Sequence, residues 1–394
     1  MGRAFRLLFA ASTISNVGDG VLVVALPLLA RDLTTDPVAV SMVTVAATAP
    51  WLLFGLLAGA VVDRHDRRRL MVVADVARAG TLGVLAAAVA ADVVSLPLLA
   101  VTVFVLGVGE TIFDTASQAL LPTVVEHERL EAANGRLFGA QIAANSFVGP
   151  PLGAALFAVA LMLPLAADAA TFAVSALLVA AITTPPAAPR PKQSSLLADV
   201  REGLRWLWGD GLIRAFAIGA AVVNLAHTAV LATIVLFVRD DLGVGSFAFA
   251  LTLAGASIGG IVGAATASVI VGWVGRRAAV LASVAGFSAS LLVAGTATNV
   301  VVVAIGLAGF GVAGEVWNVV AVSYRQARVP EHLLGRVMAG YRCIAYGAMP
   351  VGAALGGVLA DGLGLRAPFI AGALLTATLL VYLVPVSRDR ALRA

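Results

Sequence analysis

Long apolar runs separated by short polar breaks are the main pattern of this sequence. An α-helix needs about 20 apolar residues to cross a hydrocarbon core of roughly 30 Å. A membrane-spanning β-barrel would instead show alternating segments of about ten residues. The pattern therefore predicts an all-α membrane protein with twelve transmembrane helices, the first retained and not cleaved as a signal peptide. The runs lie at about 5–30, 38–62, 70–91, 97–121, 134–158, 161–182, 213–238, 247–271, 278–296, 300–325, 335–360 and 365–386.

Composition agrees with this prediction, since 60% of the 394 residues are hydrophobic and the mean hydropathy is +1.00. The cationic residues are unevenly distributed: we assign 21 of the 26 Lys and Arg to the membrane side that carries the N-terminus. Only Arg31, Arg239 and Arg366 fall on the other side. Because cations collect on the cytoplasmic side, both termini are predicted to be cytoplasmic. The basic pI then reflects the lipid bilayer as partner, and no nucleic acid is expected.

The chain also contains an internal repeat. Residues 135–150 align with 335–350 at an offset of 200, matching Pro150 with Pro350. At an offset of 208, Asn16 aligns with Asn224, and at 205 Glu110 aligns with Glu315. Parallel repeats of this kind occur in one large class of transporters. We predict two pseudo-symmetric six-helix bundles, residues 1–182 and 213–394.

The segment between the predicted bundles, residues 183–212, has a different character. Its Pro-rich start cannot continue a helix. From Ser195, a suitable N-cap, apolar residues recur at helical spacing with Arg and Glu between them. This pattern predicts an amphipathic helix at the inner membrane surface, joining the two bundles.

Ionisable residues near the middle of predicted spans are the candidate functional groups. A charge at the bilayer centre costs about 2.5–3.5 kcal/mol and needs a partner or a wet cavity. Asn16, Asn224 and Asn318 each stand three residues from one such residue, extending polar stripes. Glu110 and Asp114 share a helix face and could share a proton. His227 either titrates or is only hydrogen-bonded. We predict proton coupling or substrate binding by Asp19, Glu110, Asp114, Glu315, Asn16, Asn224, His227 and Asn318.

Other polar residues in the spans are interpreted structurally. Asp75 and Arg78 are three residues apart and predict an ion pair. Asp168 is expected near the outer end of span 6, as a cap or an interfacial group. Cys343, the single cysteine, is expected only to pack. No metal set, cofactor motif, nucleotide-binding loop or hydrolase motif is present, so neither an enzyme nor an ATP-driven pump is predicted.

Several stretches resemble the major facilitator superfamily, in particular the branch of macrolide-efflux proteins and the enterobactin exporter. They are "STISNVGDGVLVVALPLLARDLTTDP", "WLLFGLLAGAVVDRHDRRRLMVVADVAR", "ALLPTVVEHERLEAANG", "GPPLG" and "LLADVREGLRWLW". In that superfamily spans 1, 4, 7 and 10 line a central cavity. These are the spans that carry the ionisable residues named above.

The resemblance also implies two functional motifs. A cytoplasmic gate motif, G-x-x-x-D-R-x-G-R-R, has Asp66 in place of its middle glycine here and is otherwise matched by Gly59, Asp63, Arg64, Arg67 and Arg68. The alternative is that these arginines only fix topology. The exporter-type motif of span 5 is matched by Gly149, Pro150 and Gly153. The span 4 arginine of many proton-driven exporters is absent.

Together these observations predict a monomeric secondary exporter of small amphiphilic molecules, such as drugs, macrolide-like compounds or siderophores. Exchange for protons by alternating access would drive it. Two alternatives stay open: an importer or uniporter on the same fold, and a membrane-embedded sensor or enzyme.

Overall fold

Long α-helices occupy the apolar runs. The structure is a computed structural model and describes residues 2–126, 129–183 and 196–386. No β-strand occurs in these ranges, so the all-α prediction is confirmed. The described helices are α1 (Arg3–Leu33), α2 (Pro37–Arg64), α3 (Arg67–Ala90), α4 (Leu96–Val124), α5 (Leu130–Ala143), α6 (Gly149–Val159), α7 (Leu163–Ala180), α8 (Leu196–Gly209), α9 (Gly211–Leu236), α10 (Ser246–Thr296), α11 (Val300–Arg328), α12 (Glu331–Leu363) and α13 (Ala367–Val386).

Polar residues at the breaks start several of these helices. The Asp66 carboxylate accepts a hydrogen bond from the Arg69 N–H at 2.8 Å and caps α3. Asp210 caps α9 in the same way through two backbone N–H groups. Asn299 caps α11 by accepting from the Val302 N–H at 3.1 Å. The polar breaks therefore satisfy backbone donors that the first helical turn leaves free.

Ten helices of the described chain are long and apolar enough to cross a membrane. The predicted number, twelve, differs from this count at two places. Helix α10 has 51 residues, which at 1.5 Å per residue is about 76 Å, more than twice a hydrocarbon core. It is broken at Gly275, whose φ of 79° favours glycine. The break lies between the predicted runs 247–271 and 278–296.

The second place is the predicted run 134–158. It consists of α5, one π-helical turn at Ala144–Val148, and α6. Two prolines, Pro150 and Pro151, lie in the first turn of α6, where a missing N–H costs least. Because α5 has 14 residues and α6 has 11, neither piece alone is long enough to span. Twelve spans therefore stays a prediction.

The chain packs as two compact units. The first unit is Met1–Thr34 with Ala46–Lys192, and the second is Thr35–Val45 with Gln193–Ala394. In the first unit, α1 packs on α6 and α7, and α3 packs on α4 and α7. In the second unit, α9 packs on α12 and α13, and α10 packs on α11 and α13.

Both units contain the same close helix crossing. A Cβ added at Gly149 or Gly153 of α6 would overlap the backbone of α1, at Gly20 and Val21 respectively. A Cβ added at Gly352 or Gly356 of α12 would overlap the backbone of α9, at Leu225 and Ala229. Val21 and Ala229 are aligned by the predicted offset of 208. Small residues four apart in this way let two membrane helices approach backbone to backbone.

A hydrogen bond is repeated as well. The side-chain amide of Asn145 donates to the Oδ1 of Asn16 at 3.0 Å, joining the π turn to α1. In the second unit the amide of Asn224 donates to the Ala345 carbonyl at 2.9 Å, joining α9 to α12. Asn16 aligns with Asn224, and Asn145 aligns with Ala345, at the two predicted offsets. The repeat in the sequence is thus a repeat in packing.

Helix α8, at Leu196–Gly209, lies within the predicted linker, and Ser195, the predicted N-cap, lies outside the described residues. Helix α8 packs on α12 in the second unit. A Cβ added at Gly203 would overlap the backbone of Arg336, and the Leu204 side chain packs against Gly340. Leu207 is fully buried. Glu202 forms an ion pair with Arg336. This helix is therefore fastened to the second unit.

Candidate functional site

An ion pair inside the first unit is the centre of the candidate site. The guanidinium of Arg78, on α3, donates to the Oδ1 of Asp19, on α1, at 2.5 Å. The Arg78 side chain is 2% exposed and that of Asp19 is 24% exposed. An unpaired charge buried to this degree would cost several kcal/mol. Asp19, predicted as a proton-coupling or substrate-binding acid near the middle of its span, is therefore held by a cation from another helix.

Arg78 is enclosed by several helices. The carboxylate of Asp75, one turn earlier on α3, lies 3.7 Å from the Arg78 guanidinium. The predicted Asp75–Arg78 ion pair is therefore present, and it is longer than the Asp19–Arg78 pair. The guanidinium carbon lies 3.8 Å from the ring centre of Phe172 on α7. The Arg78 stem packs on Gly109 of α4, where an added Cβ would lie 2.7 Å from Cγ. Glycine at 109 therefore makes room for the arginine.

Asp168 belongs to this cluster, and the expectation that it caps or lies at the membrane interface is wrong. Its side chain is fully buried, and its Oδ1 accepts a hydrogen bond from the Thr171 hydroxyl at 2.7 Å. A Cβ at Gly18 of α1 would overlap that same carboxylate. Asp168 also interacts electrostatically with Arg78 and Asp19. It points into the bundle because the glycine of α1 leaves space for it.

Glu110 and Asp114 add two further carboxylates from α4. Both interact electrostatically with Asp19 and with Arg78, and Glu110 interacts with Asp114. Each is partly buried. Arg78 therefore lies in the field of Asp19, Asp75, Glu110 and Asp168. We call these residues, together with Asp114, the charge cluster.

A polar pocket of about 140 Å³ opens beside Asp114, between α1, α4 and α5. Besides Asp114, six residues with hydroxyl or amide groups line it, together with the apolar residues Leu121, Leu137 and Phe138. The hydroxyl and amide residues are Ser12, Asn16, Ser117, Gln118, Asn134 and Gln141. Two of the predicted site residues, Asn16 and Asp114, thus line one pocket.

The predicted residues of the second unit are more dispersed. His227 of α9 stacks on Phe310 of α11, with ring centroids 5.0 Å apart and an interplanar angle of 15°. Helix α10 approaches Glu315 at Gly263, where an added Cβ would lie 3.0 Å from the glutamate Cβ. Asn318 is exposed and Asn224 is half-buried.

The gate motif lies where α2 ends and α3 begins. Arg68 donates to the carbonyls of Ala180 at 3.4 Å and Ile182 at 2.9 Å, at the end of α7 in the same unit. Arg64 is exposed and Arg67 is half-buried. A Cβ on Gly59 would meet no described heavy atom within 4 Å. The side chain of Asp63 lies outside the described part of the structure.

The span 5 motif has a clear packing role. Gly149, Pro150 and Gly153 are buried, and the two glycines form the crossing of α6 with α1 described above. That crossing places α6 beside Gly20, one residue from Asp19. The motif therefore fixes the helix that carries one half of the ion pair.

Three features of the site were missed by sequence reasoning: the Asp19–Arg78 contact, the burial of Asp168, and a buried arginine in the second unit. Arg325 of α11 is 4% exposed, and its guanidinium carbon lies 3.7 Å from the ring centre of Tyr341. The signal for the first two was the pair of glycines, Gly18 and Gly109, next to polar residues in apolar spans. Within the described residues no group of three or more His, Cys, Asp or Glu is placed to hold a metal.

Comparison with known proteins identifies the family. The profile of the transmembrane secretion effector family, MFS_3, matches residues 2–392. The chain belongs to this family. It is a multi-pass bacterial membrane transporter of the major facilitator superfamily and not an enzyme, as the sequence motifs predicted.

Relatives of this MFS_3 member are named as exporters. The multidrug efflux pump Tap of Mycolicibacterium fortuitum is 31% identical over 94% of this chain and 92% of Tap. Macrolide efflux protein A of Streptococcus pyogenes is 23% identical, covering 96% of this chain and 93% of the relative. The enterobactin exporter EntS of Escherichia coli O1:K1 / APEC is 26% identical, covering 92% and 85%. The predicted exporter branch is confirmed.

The fold also matches solved transporters. A variant of the nucleoside transporter NupG superposes with a TM-score of 0.78, covering 97% of this chain and 99% of NupG. The two sequences are 13% identical, so the likeness concerns the fold alone.

Proposed function

We propose that this MFS_3 member exports small amphiphilic molecules from the bacterial cytoplasm in exchange for protons, by alternating access of bundles 1–182 and 213–394. The observation that carries the proposal is the buried Asp19–Arg78 ion pair, with Glu110 and Asp114 in its field. The names of the relatives, which cover drugs, macrolides and enterobactin, support the class of substrate.

The charge cluster supplies a physical basis for coupling. A proton on Asp19 removes the charge that holds Arg78 at 2.5 Å. The guanidinium then still has carboxylates from α3, α4 and α7 in its field, so its own charge stays compensated. Each proton gained or lost changes the cluster by one whole charge. Protonation and substrate binding can therefore favour different arrangements of the same side chains.

The driving force is adequate for export. One charge crossing a 100 mV potential supplies about 2.3 kcal/mol. At about 1.4 kcal/mol per tenfold concentration ratio, this sustains a gradient of roughly fifty-fold.

The second unit is proposed to contact substrate through Asn224, His227, Glu315 and Asn318. The flat His227–Phe310 stack suits an apolar ring, and Glu315 suits a cationic or hydrogen-bonding group. The gate motif, with Asp63 and its arginines, is proposed to bias the two states on the cytoplasmic side, and Arg68 anchors it to α7. Both termini are proposed to be cytoplasmic by the positive-inside rule.

Transport into inside-out vesicles tests the proposal. Vesicles with an acidified lumen are given ethidium, erythromycin or enterobactin, with and without a protonophore. The wild type is expected to accumulate at least one of these compounds only while the proton gradient lasts. Asp19→Asn and Glu110→Gln keep hydrogen bonding but remove ionisation. Both are expected to lower the rate of gradient-driven uptake by about tenfold or more, which corresponds to at least about 1.4 kcal/mol of activation free energy.

Asp361→Asn is the matched control, because Asp361 is an exposed aspartate of α12 outside the charge cluster. It is expected to transport like the wild type. Proton coupling through these acids would be contradicted by either of two results. One is wild-type uptake that the protonophore does not reduce, and the other is wild-type rates of gradient-driven uptake in both Asp19→Asn and Glu110→Gln. Uptake by right-side-out vesicles alone would favour the importer.

A further inference from the structure

The polar pocket of the first unit has the properties of a water-filled recess. Its volume of about 140 Å³ gives room for about five water molecules at their liquid density. The Ser12 hydroxyl, on a residue only 9% exposed, has no hydrogen-bond partner among the described protein groups. Buried hydroxyls are almost always bonded to protein or to ordered water. The Ser12 oxygen itself is closed to solvent, so water in the recess would be held by the other hydroxyl and amide groups of the lining.

The inner wall of the pocket is shared with the charge cluster. Asp114 lines the pocket, and Glu110 is one turn further along the same face of α4. Asn16 lines the pocket from α1, three residues before Asp19. Water in the pocket would therefore touch Asp114 directly and lie one helical turn from Asp19 and Glu110.

The other wall of the pocket reaches the surface of the unit. Gln118 and Asn134 are exposed, and Phe138 is 65% exposed. These residues lie toward the end of α4 and the beginning of α5, the end of the bundle at which α1 also begins. That end is cytoplasmic in the proposed orientation. The pocket thus leads from the acids toward the cytoplasmic side.

The charged surroundings of Asp114 are limited in the described residues. Asp19 of α1, Glu110 of α4 and Arg78 of α3 interact with it electrostatically. Helix α5 faces the pocket with two amides, Asn134 and Gln141, and no charge. The described lining between Asp114 and the surface therefore offers neutral hydroxyl and amide groups, beside Leu121, Leu137 and Phe138.

We propose that the polar pocket holds a chain of water molecules that carries protons between Asp114 and the cytoplasm, so that the inner leg of the proton path lies within the first unit. This inference rests on the proposed proton exchange. Water relays a proton by hydrogen-bond rearrangement, and no covalent chemistry is required of the lining amides. They orient the water.

Two glutamines allow a test that leaves every acid in place. Gln118→Met with Gln141→Met keeps side-chain length and removes two hydrogen-bonding amides from the lining. Gln326→Met is the matched control, because Gln326 is exposed on α11 of the second unit. Asn134→Leu at the mouth is a second, independent variant should the double variant fold poorly. Each protein is reconstituted in lipid nanodiscs, and ethidium affinity is measured by fluorescence.

The readout is the infrared C=O stretch of protonated carboxyls after a pH jump, assigned to the cluster by its loss in Glu110→Gln and Asp114→Asn. The double variant and Asn134→Leu are expected to slow this protonation about tenfold, or about 1.4 kcal/mol of barrier. The final amplitude, the ethidium affinity and the Gln326→Met rate are expected to stay at wild-type values.

Protonation at the wild-type rate in the pocket variants would overturn the inference, as would the absence of any cluster band in the wild type. Weaker ethidium binding with an unchanged rate would also overturn it and make the pocket a substrate subsite. Failure of the proposed exchange is seen separately, as vesicle transport that is independent of the proton gradient.

Discussion

The two units share one close helix crossing and differ in the side chains that they bury. In each unit two glycines bring corresponding helices together. They are Gly149 and Gly153 for α6 on α1, and Gly352 and Gly356 for α12 on α9. Around this crossing the first unit buries the Arg78 charge cluster. The second buries an aromatic cluster, with ring centroids between 4.8 and 6.5 Å apart, made of Phe216, Phe287, Phe310, Trp317 and Tyr324. The repeat therefore fixes helix packing and leaves the interior free to diverge.

This difference suggests a division of labour under the proposed function. Groups that gain and lose protons are concentrated in the first unit, where one cation serves several acids. Apolar rings, which bind flat molecules without a change of charge, are concentrated in the second. The following substitutions are expected to break or sharpen this contrast.

The largest effect is expected from Arg78→Met, which removes the cation from a buried pair. Its loss leaves carboxylates uncompensated and is expected to lower the free energy of unfolding by about 3–5 kcal/mol. The thermal midpoint of the purified protein in detergent measures this. Asp19→Asn added to Arg78→Met is expected to restore part of the stability, because one uncompensated acid is then removed. A midpoint equal to that of the wild type would show that Arg78 is not the counter-ion of the cluster.

Gly153→Leu and Gly356→Leu test the shared crossing. Both insert a side chain where the partner backbone lies, at Val21 and Ala229. Overpacking typically costs about 1–3 kcal/mol, and the two losses are expected to be similar. Gly83→Leu is the control, since an added Cβ there meets no described atom within 4 Å. A loss at only one of the two crossings would mean that the repeat is not energetically equivalent.

Phe310→Ala sharpens the aromatic side of the contrast. Stacking with His227 at 5.0 Å is worth about 0.5–1.5 kcal/mol, and a bound aromatic compound would lose a similar contact. Ethidium affinity is expected to fall several-fold while carboxyl protonation keeps its wild-type rate. Phe54→Ala is the control, because Phe54 makes an edge contact with Phe104 in the first unit. Equal losses of affinity in both variants would remove the proposed role of the second unit.

The fold was largely predictable from sequence, because apolar runs of spanning length and repeated glycines are local signals. Asp75 and Arg78 could be paired from their spacing on one helix. The stronger Asp19–Arg78 contact could not, because it joins residues 59 positions apart and depends on how α1 and α3 both pack on α7. Asp168 was misjudged for the same reason: its depth in the span was read from position, whereas its burial depends on Gly18 of another helix.

The smallest effect is expected where an ion pair is exposed. Glu202 and Arg336 join α8 to α12, with side chains 48% and 36% exposed, and water screens their attraction. Glu202→Gln is therefore expected to change the free energy of unfolding by less than about 1 kcal/mol. Gly203→Leu in the same helix, which drives a side chain into the Arg336 backbone, is expected to cost more. If the charge change proved the more damaging of the two in thermal melts, α8 would be held by electrostatics and not by packing.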